Sequence, residues 1–176
     1  MIMMKRFLLV FAVIVLALPT FAQKSAAQIA GEKLREKWMN QKAPEFVVEK
    51  WLTKEPKMKG KFILVDFWGP SCGPCRKLIP ELNEWSKLFK KDLLVIGVAP
   101  NKEESVRKMK EPVIEYFSAI DTQQRMSKIY GLKFYPMAVL IDPDGIVRWI
   151  GYPSTEDFTK EFVKKTIDEY KNQKKK

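Results

Sequence analysis

Apolar positions along this chain follow two different rhythms. Phe62-Ile63-Leu64-Val65-Asp66-Phe67-Trp68 is an almost unbroken apolar run rich in β-branched and aromatic residues, which predicts a buried strand. From Gly73 onward the period changes: Leu78, Ile79, Leu82, Trp85, Leu88 and Phe89 recur at helical spacing and mark one apolar face. Further on, Met137-Ala138-Val139-Leu140-Ile141 predicts a second strand. Asp142-Pro143-Asp144-Gly145 is a turn leading to Ile146–Trp149, which together suit an antiparallel hairpin. A last helix is expected from Thr155 to Lys171, and Ile29, Leu34 and Trp38 suggest a short packed or partner-binding helix within residues 23–41.

The N-terminus is set apart from this pattern. Lys5 and Arg6 precede the apolar run Phe7–Leu18, Pro19 breaks it, and Thr20-Phe21-Ala22 places small residues at −3 and −1 of a cleavage point before Gln23. That layout predicts a secretory signal peptide at residues 1–22. The run is too short for a bilayer span, which needs about 20 apolar residues. The expected destination is across the inner membrane, in the periplasm, with only transient membrane contact.

A chain of 176 residues holds one domain comfortably, and 46% apolar with 30% charged residues is globular composition. Removing Lys5 and Arg6 with the leader leaves 30 basic against 21 acidic residues, a net charge of +9. An exported protein does not meet nucleic acid, and the charges are interspersed, as in the i,i+4 pairs Glu156/Lys160 and Glu161/Lys165. Only Lys174-Lys175-Lys176, within a basic tail at 173–176, forms a like-charge run.

The two cysteines decide the chemistry. They lie three apart in Cys72-Gly73-Pro74-Cys75. A zinc site needs four ligands, and the chain has no histidine and no second cysteine pair. Haem attachment needs a histidine where Arg76 stands. A structural staple closing so small a loop removes little chain entropy. Redox exchange remains, with no metal or organic cofactor required. Cys72 falls at the start of the helix, where free N–H groups and the helix dipole favour a thiolate. It is therefore the expected nucleophile, and Cys75, one turn in, the resolving thiol. Asp66 interrupts the strand six residues earlier. It reads either as a solvent-facing acid, for instance paired with Lys61, or as a buried carboxylate that handles the Cys75 proton.

Ile63-Leu64-Val65-Asp66-Phe67-Trp68, the Cys72–Cys75 motif and Pro80 together resemble the active-site strand and helix of thioredoxin. That resemblance selects the second reading of Asp66. It also implies that Tyr135-Pro136 is a cis X–Pro bond beside the cysteines, whose backbone aligns an extended substrate. Substrate contacts are then expected at Trp68, Ser71, Gly73, Pro74, Tyr135 and Pro136. Lys42-Ala43-Pro44-Glu45-Phe46, Gly60-Lys61 and Leu93-Leu94-Val95-Ile96-Gly97-Val98, with a strand near Ile114 to Ile120 after a polar helical segment, resemble exported proteins of the TlpA/ResA type.

The fold implied is α/β, a thioredoxin fold with a central mixed sheet flanked by helices, an N-terminal extension and an inserted α/β element. It would occupy residues 42–172. The function implied is exchange of a dithiol or disulfide with protein substrates, in the reducing direction, as in cytochrome c maturation or disulfide repair. Electrons would come from a membrane or extracytoplasmic thiol donor. Two positions depart from the family: Ser71 stands where tryptophan is usual, and Tyr135 is larger than the residue common before the cis-proline. A peroxiredoxin-like peroxidase and a non-enzymatic binding module are the alternatives.

Overall fold

The computed structural model describes residues 26–153, 155 and 157–175. The expected signal peptide at 1–22, the first residues of the 23–41 segment, Glu156 and Lys176 lie outside them. In chain order the elements are α1 (Ala26–Trp38), β1 (Lys50–Trp51), β2 (Phe62–Phe67), α2 (Gly73–Leu88), β3 (Leu93–Ala99), α3 (Glu103–Lys108), β4 (Phe117–Ile120), α4 (Arg125–Tyr130), β5 (Met137–Ile141), β6 (Val147–Gly151) and α5 (Lys160–Lys174).

Six strands form one mixed sheet in the order β1-β4-β3-β2-β5-β6. β3 runs parallel to β2 and to β4, while β5 is antiparallel to both β2 and β6. β2 lies near the middle with all six residues buried, because both of its faces are covered. On one face Phe62 and Leu64 join Leu78, Ile79, Leu82 and Trp85 of α2 and Val163 and Ile167 of α5. On the other, Ile63, Val65 and Phe67 meet Met126 and Tyr130 of α4, with Leu34 and Trp38 of α1 packed alongside. The expected mixed sheet with helices on both faces is therefore present.

α1 is held closely. The Trp38 indole N–H donates to the Tyr130 carbonyl at 3.1 Å, and a Cβ on Gly31 would stand 3.3 Å from the Gly151 Cα. After α1 the chain runs beside β6. Asn40 N–H donates to the Val147 carbonyl at 2.8 Å, Val147 N–H to Gln41 at 2.9 Å, and Ala43 N–H to Gly145 at 2.8 Å.

Several boundaries differ from the sequence expectation, each for a local reason. The last helix begins at Lys160 rather than Thr155, because Thr159 caps it by accepting from the Phe162 N–H at 3.1 Å. Phe158 is used by the core instead, stacking on Trp149 with ring centroids 3.9 Å apart. That helix also continues to Lys174, whose ammonium meets Asp144 at 2.9 Å rather than lying in a free tail. β4 starts at Phe117 because the side chain of Asn83 in α2 binds the preceding loop, donating to the Val113 carbonyl and accepting from the Glu115 N–H, each at 2.8 Å. β6 spans Val147–Gly151, with a register shift opposite Leu140 and Ile141. Leu88, placed on the apolar face of α2, lies in its last turn and is 57% exposed. Lys165 pairs with Glu169 at 3.8 Å, not with Glu161.

Candidate active site

The strand-to-helix connection after β2 sets the two cysteines in different surroundings. Cys72 N–H donates to the Gly69 carbonyl at 3.0 Å, which turns the chain so that Cys72 becomes the N-cap of α2. Its sulfur accepts from the Cys75 N–H at 3.2 Å, one of the helix-start donors that has no carbonyl partner within the helix. Pro74 suits this first turn, where a missing N–H costs nothing. Cys72 is half-buried and Cys75 is 1% exposed, so one sulfur faces outward and the other enters the core against α2 and β2. The two are joined in a disulfide with Cα atoms 5.3 Å apart.

Asp66 is not a surface acid. It is 1% exposed, and Lys61 turns away from it to the Lys91 carbonyl. Strand alternation puts Asp66 on the same face as Leu64 and Trp68, the face covered by α2 and Cys75. Its Oδ2 accepts from the Tyr116 hydroxyl at 3.0 Å, while its Oδ1 has no hydrogen-bond partner among the described residues. Burial outweighs that one hydrogen bond and pushes the carboxyl from 3.8 up to about 7. Tyr116 is raised well above 10, first by burial and then by the Asp66 charge, so it remains a phenol and a donor.

Sequence reasoning missed Tyr116 and the glycine that makes room for it. Gly97 of β3 pairs with Asp66 in register, and a Cβ there would lie 3.0 Å from Trp68 Nε1 and 3.1 Å from Tyr116 Cε2. The absent side chain leaves room for both rings over Gly97, from where Tyr116 reaches the carboxyl. An isolated glycine within a strand pattern was the available signal of such close approach.

The remaining sites divide. Ser71, Gly73 and Pro74 are exposed around Cys72, and Tyr135-Pro136 is cis. Tyr135 is half-buried and, like Cys72, packs against the core cluster that holds Cys75. Its hydroxyl lies 3.0 Å from the buried Ser127 Oγ, which ties the loop before β5 to α4. Pro136 is buried. Trp68, expected at the substrate surface, is 0% exposed: its ring covers Gly97 beneath the motif and presents nothing to solvent. Among the described residues no group of three or more His, Cys, Asp or Glu side chains converges as a metal site would require.

Residues 39–150 match the AhpC/TSA family, a stretch that contains β2, the cysteine pair, Asp66 and Pro136. The chain belongs to this family. Within the AhpC/TSA family it is of the TlpA/ResA type. It is 31% identical over 134 residues to the thiol-disulfide oxidoreductase ResA of Bacillus thuringiensis, covering 72% of this chain and 78% of that one. A solved thiol:disulfide interchange protein from a Bacteroides species superposes with a TM-score of 0.63 at 26% identity, covering 74% of this chain and 90% of the other. The 2-Cys peroxiredoxin of Plasmodium vivax superposes with a TM-score of 0.61 at 18% identity, covering 79% and 99%, and shares the fold. This AhpC/TSA chain is accordingly a thiol-disulfide oxidoreductase, an enzyme of the protein-disulfide class.

Proposed function

We propose that the chain works outside the cytoplasm as a reductant of protein disulfides. The observation that carries this reading is the unequal burial of one cysteine pair at a helix start, with a neutral-range carboxyl on the buried side. In the reduced enzyme the Cys72 thiolate attacks a substrate disulfide. A mixed disulfide forms and the first substrate sulfur leaves as a thiolate that takes up a proton. Cys75 then gives its proton to ionised Asp66 and its sulfur attacks Cys72. The second substrate sulfur leaves with that proton, and the enzyme is left as the Cys72–Cys75 disulfide. Two electrons pass to the substrate and must be restored by a thiol donor. The exposed Ser71, Gly73 and Pro74 and the backbone at Tyr135-Pro136 would hold the substrate strand. Export rests on the leader-like pattern of residues 1–22, and no described helix is long and apolar enough to cross a membrane.

The test is trapping. Cys75→Ser should accumulate mixed disulfides through Cys72, and Cys72→Ser should abolish both trapping and reduction of a protein disulfide. Retained turnover in Cys72→Ser overturns the mechanism. Peroxide consumption by the full chain at a rate matching disulfide reduction would favour the peroxidase alternative.

A further inference from the structure

A second surface feature adjoins the disulfide. Between the loop before Cys72 and the segment from Asn101 to Glu111 lies an open groove of about 530 Å³. Pro70 and Ser71 form the end nearest the cysteines, and Arg76, Lys108 and Lys110 line its sides together with a single acid, Glu111. It lies past the carboxyl ends of the parallel strands β2 and β3, where open α/β sheets commonly place ligands.

The cations are arranged rather than merely present. Arg76, in the first turn of α2, donates from Nη2 to the Glu111 carbonyl at 2.6 Å, which fixes its guanidinium against the groove wall and leaves its other N–H groups available. Lys110 is exposed and has no ion pair among the described residues. Lys108 shares its charge with the exposed Glu104 at 2.7 Å, a pair that solvent screens heavily. Glu103, the other nearby acid, is already engaged by Lys50 and Arg107. Ser71, a small residue at the groove's end, directly precedes the half-buried Cys72.

We infer that this groove receives an acidic segment of the substrate protein next to its disulfide, so that the chain favours disulfides flanked by Asp or Glu. The inference rests on the reductant reading above and names its substrate class. A guanidinium held in one orientation matches a carboxylate bidentately, and two lysines supply mobile charge beside it. All three cations are exposed, so their main effect is on the encounter rate and on partner choice rather than on tight binding. The chain without its leader, at +9, adds an attractive field in the same direction.

The experiment measures reduction by the reduced full-length chain of three disulfide-linked peptides, identical except for flanking Asp/Glu, Asn/Gln or Lys/Arg, with bis(2-hydroxyethyl) disulfide as an uncharged reference. The acidic peptide should react about tenfold faster than the neutral one at low salt, with the advantage lost near 0.5 M salt. The double variant Lys108→Glu/Lys110→Glu should erase that preference while leaving the rate with the reference disulfide unchanged. Equal rates for the three peptides, or a preference that survives the double variant, overturn the groove assignment alone. Loss of reactivity toward every compound overturns the reductant reading and this inference with it. Equal peptide rates combined with charge-dependent binding to phosphatidylglycerol vesicles would assign the cations to a lipid surface and equally overturn it.

Discussion

The Tyr116 hydroxyl reaches 3.0 Å from Asp66 Oδ2 inside the core, its ring lying over Gly97, the β3 residue that pairs with Asp66. Among the described residues this donor is the one polar side chain that stabilises the ionised carboxyl there, and it works against burial, which favours the protonated form. The balance leaves Asp66 able to change protonation near neutral pH.

Removing that donor should move the pH dependence of exchange upward. In Tyr116→Phe the carboxylate loses its hydrogen bond, so the Asp66 pKa rises further above about 7. A bond of this charge-assisted kind corresponds to about one unit. The rate of disulfide reduction, measured from pH 5 to 9, should show its Asp66-linked rise displaced to higher pH by that amount. Every other group of the site is common to both proteins, so the displacement is read as the difference between the two profiles. An unmoved profile would show that Tyr116 does not govern this proton.

Stability should depend on the same group with a sign opposite to that of an ordinary salt-bridged acid. The folded state keeps a proton up to about 7 that the unfolded chain releases near 3.8. The stability attached to this proton is therefore present in full at low pH and is lost as pH rises through that interval. Three units correspond to roughly 4 kcal/mol as an order of magnitude. Asp66→Asn, which cannot ionise, should unfold at higher urea concentration than the parent at pH 8, and its reduction rate should fall at neutral pH. Urea midpoints at pH 5 and pH 8 provide the check.

Gly97→Ala tests the packing directly. Its Cβ would press on Trp68 Nε1 and Tyr116 Cε2 at 3.0 and 3.1 Å, both parts of rings locked in the core. A loss of about 1–3 kcal/mol is expected from such overpacking. Displacement of Tyr116 should also shift the pH profile in the Tyr116→Phe direction, which a purely structural defect elsewhere would not do.

Thr159→Val serves as the contrast. It removes the hydroxyl that caps α5 and should cost about 1 kcal/mol, read from thermal or urea unfolding. Exchange kinetics under conditions where the protein stays folded should be unchanged, since no residue of the site touches that cap.

What could be read along the chain was whatever depends on near neighbours. The continuous apolar run of β2, the helical period of α2 and the three-residue cysteine spacing all express contacts within a turn or a strand, and they placed Cys72 at the helix start. Tyr116 was invisible because it stands 50 residues from Asp66 and meets it only through the register of β2, β3 and β4. Trp68 was misplaced for the same reason: only the bare Gly97 opposite explains why so large a ring turns inward. The start of α5 was misjudged because Phe158, read as helical, is drawn into a stack on Trp149 and an edge contact with Trp85 before the helix begins.

The segment at 40–43 has a bearing beyond local structure. Its hydrogen bonds to Val147 and Gly145 occupy the outer margin of the hairpin where β6 begins, a place where a bare edge would invite pairing with another molecule. The opposite margin, β1, is only two residues long and offers little to copy. The sheet therefore offers little edge for another chain to extend, and on the function proposed above a protein substrate would be met by the loops around the cysteines instead.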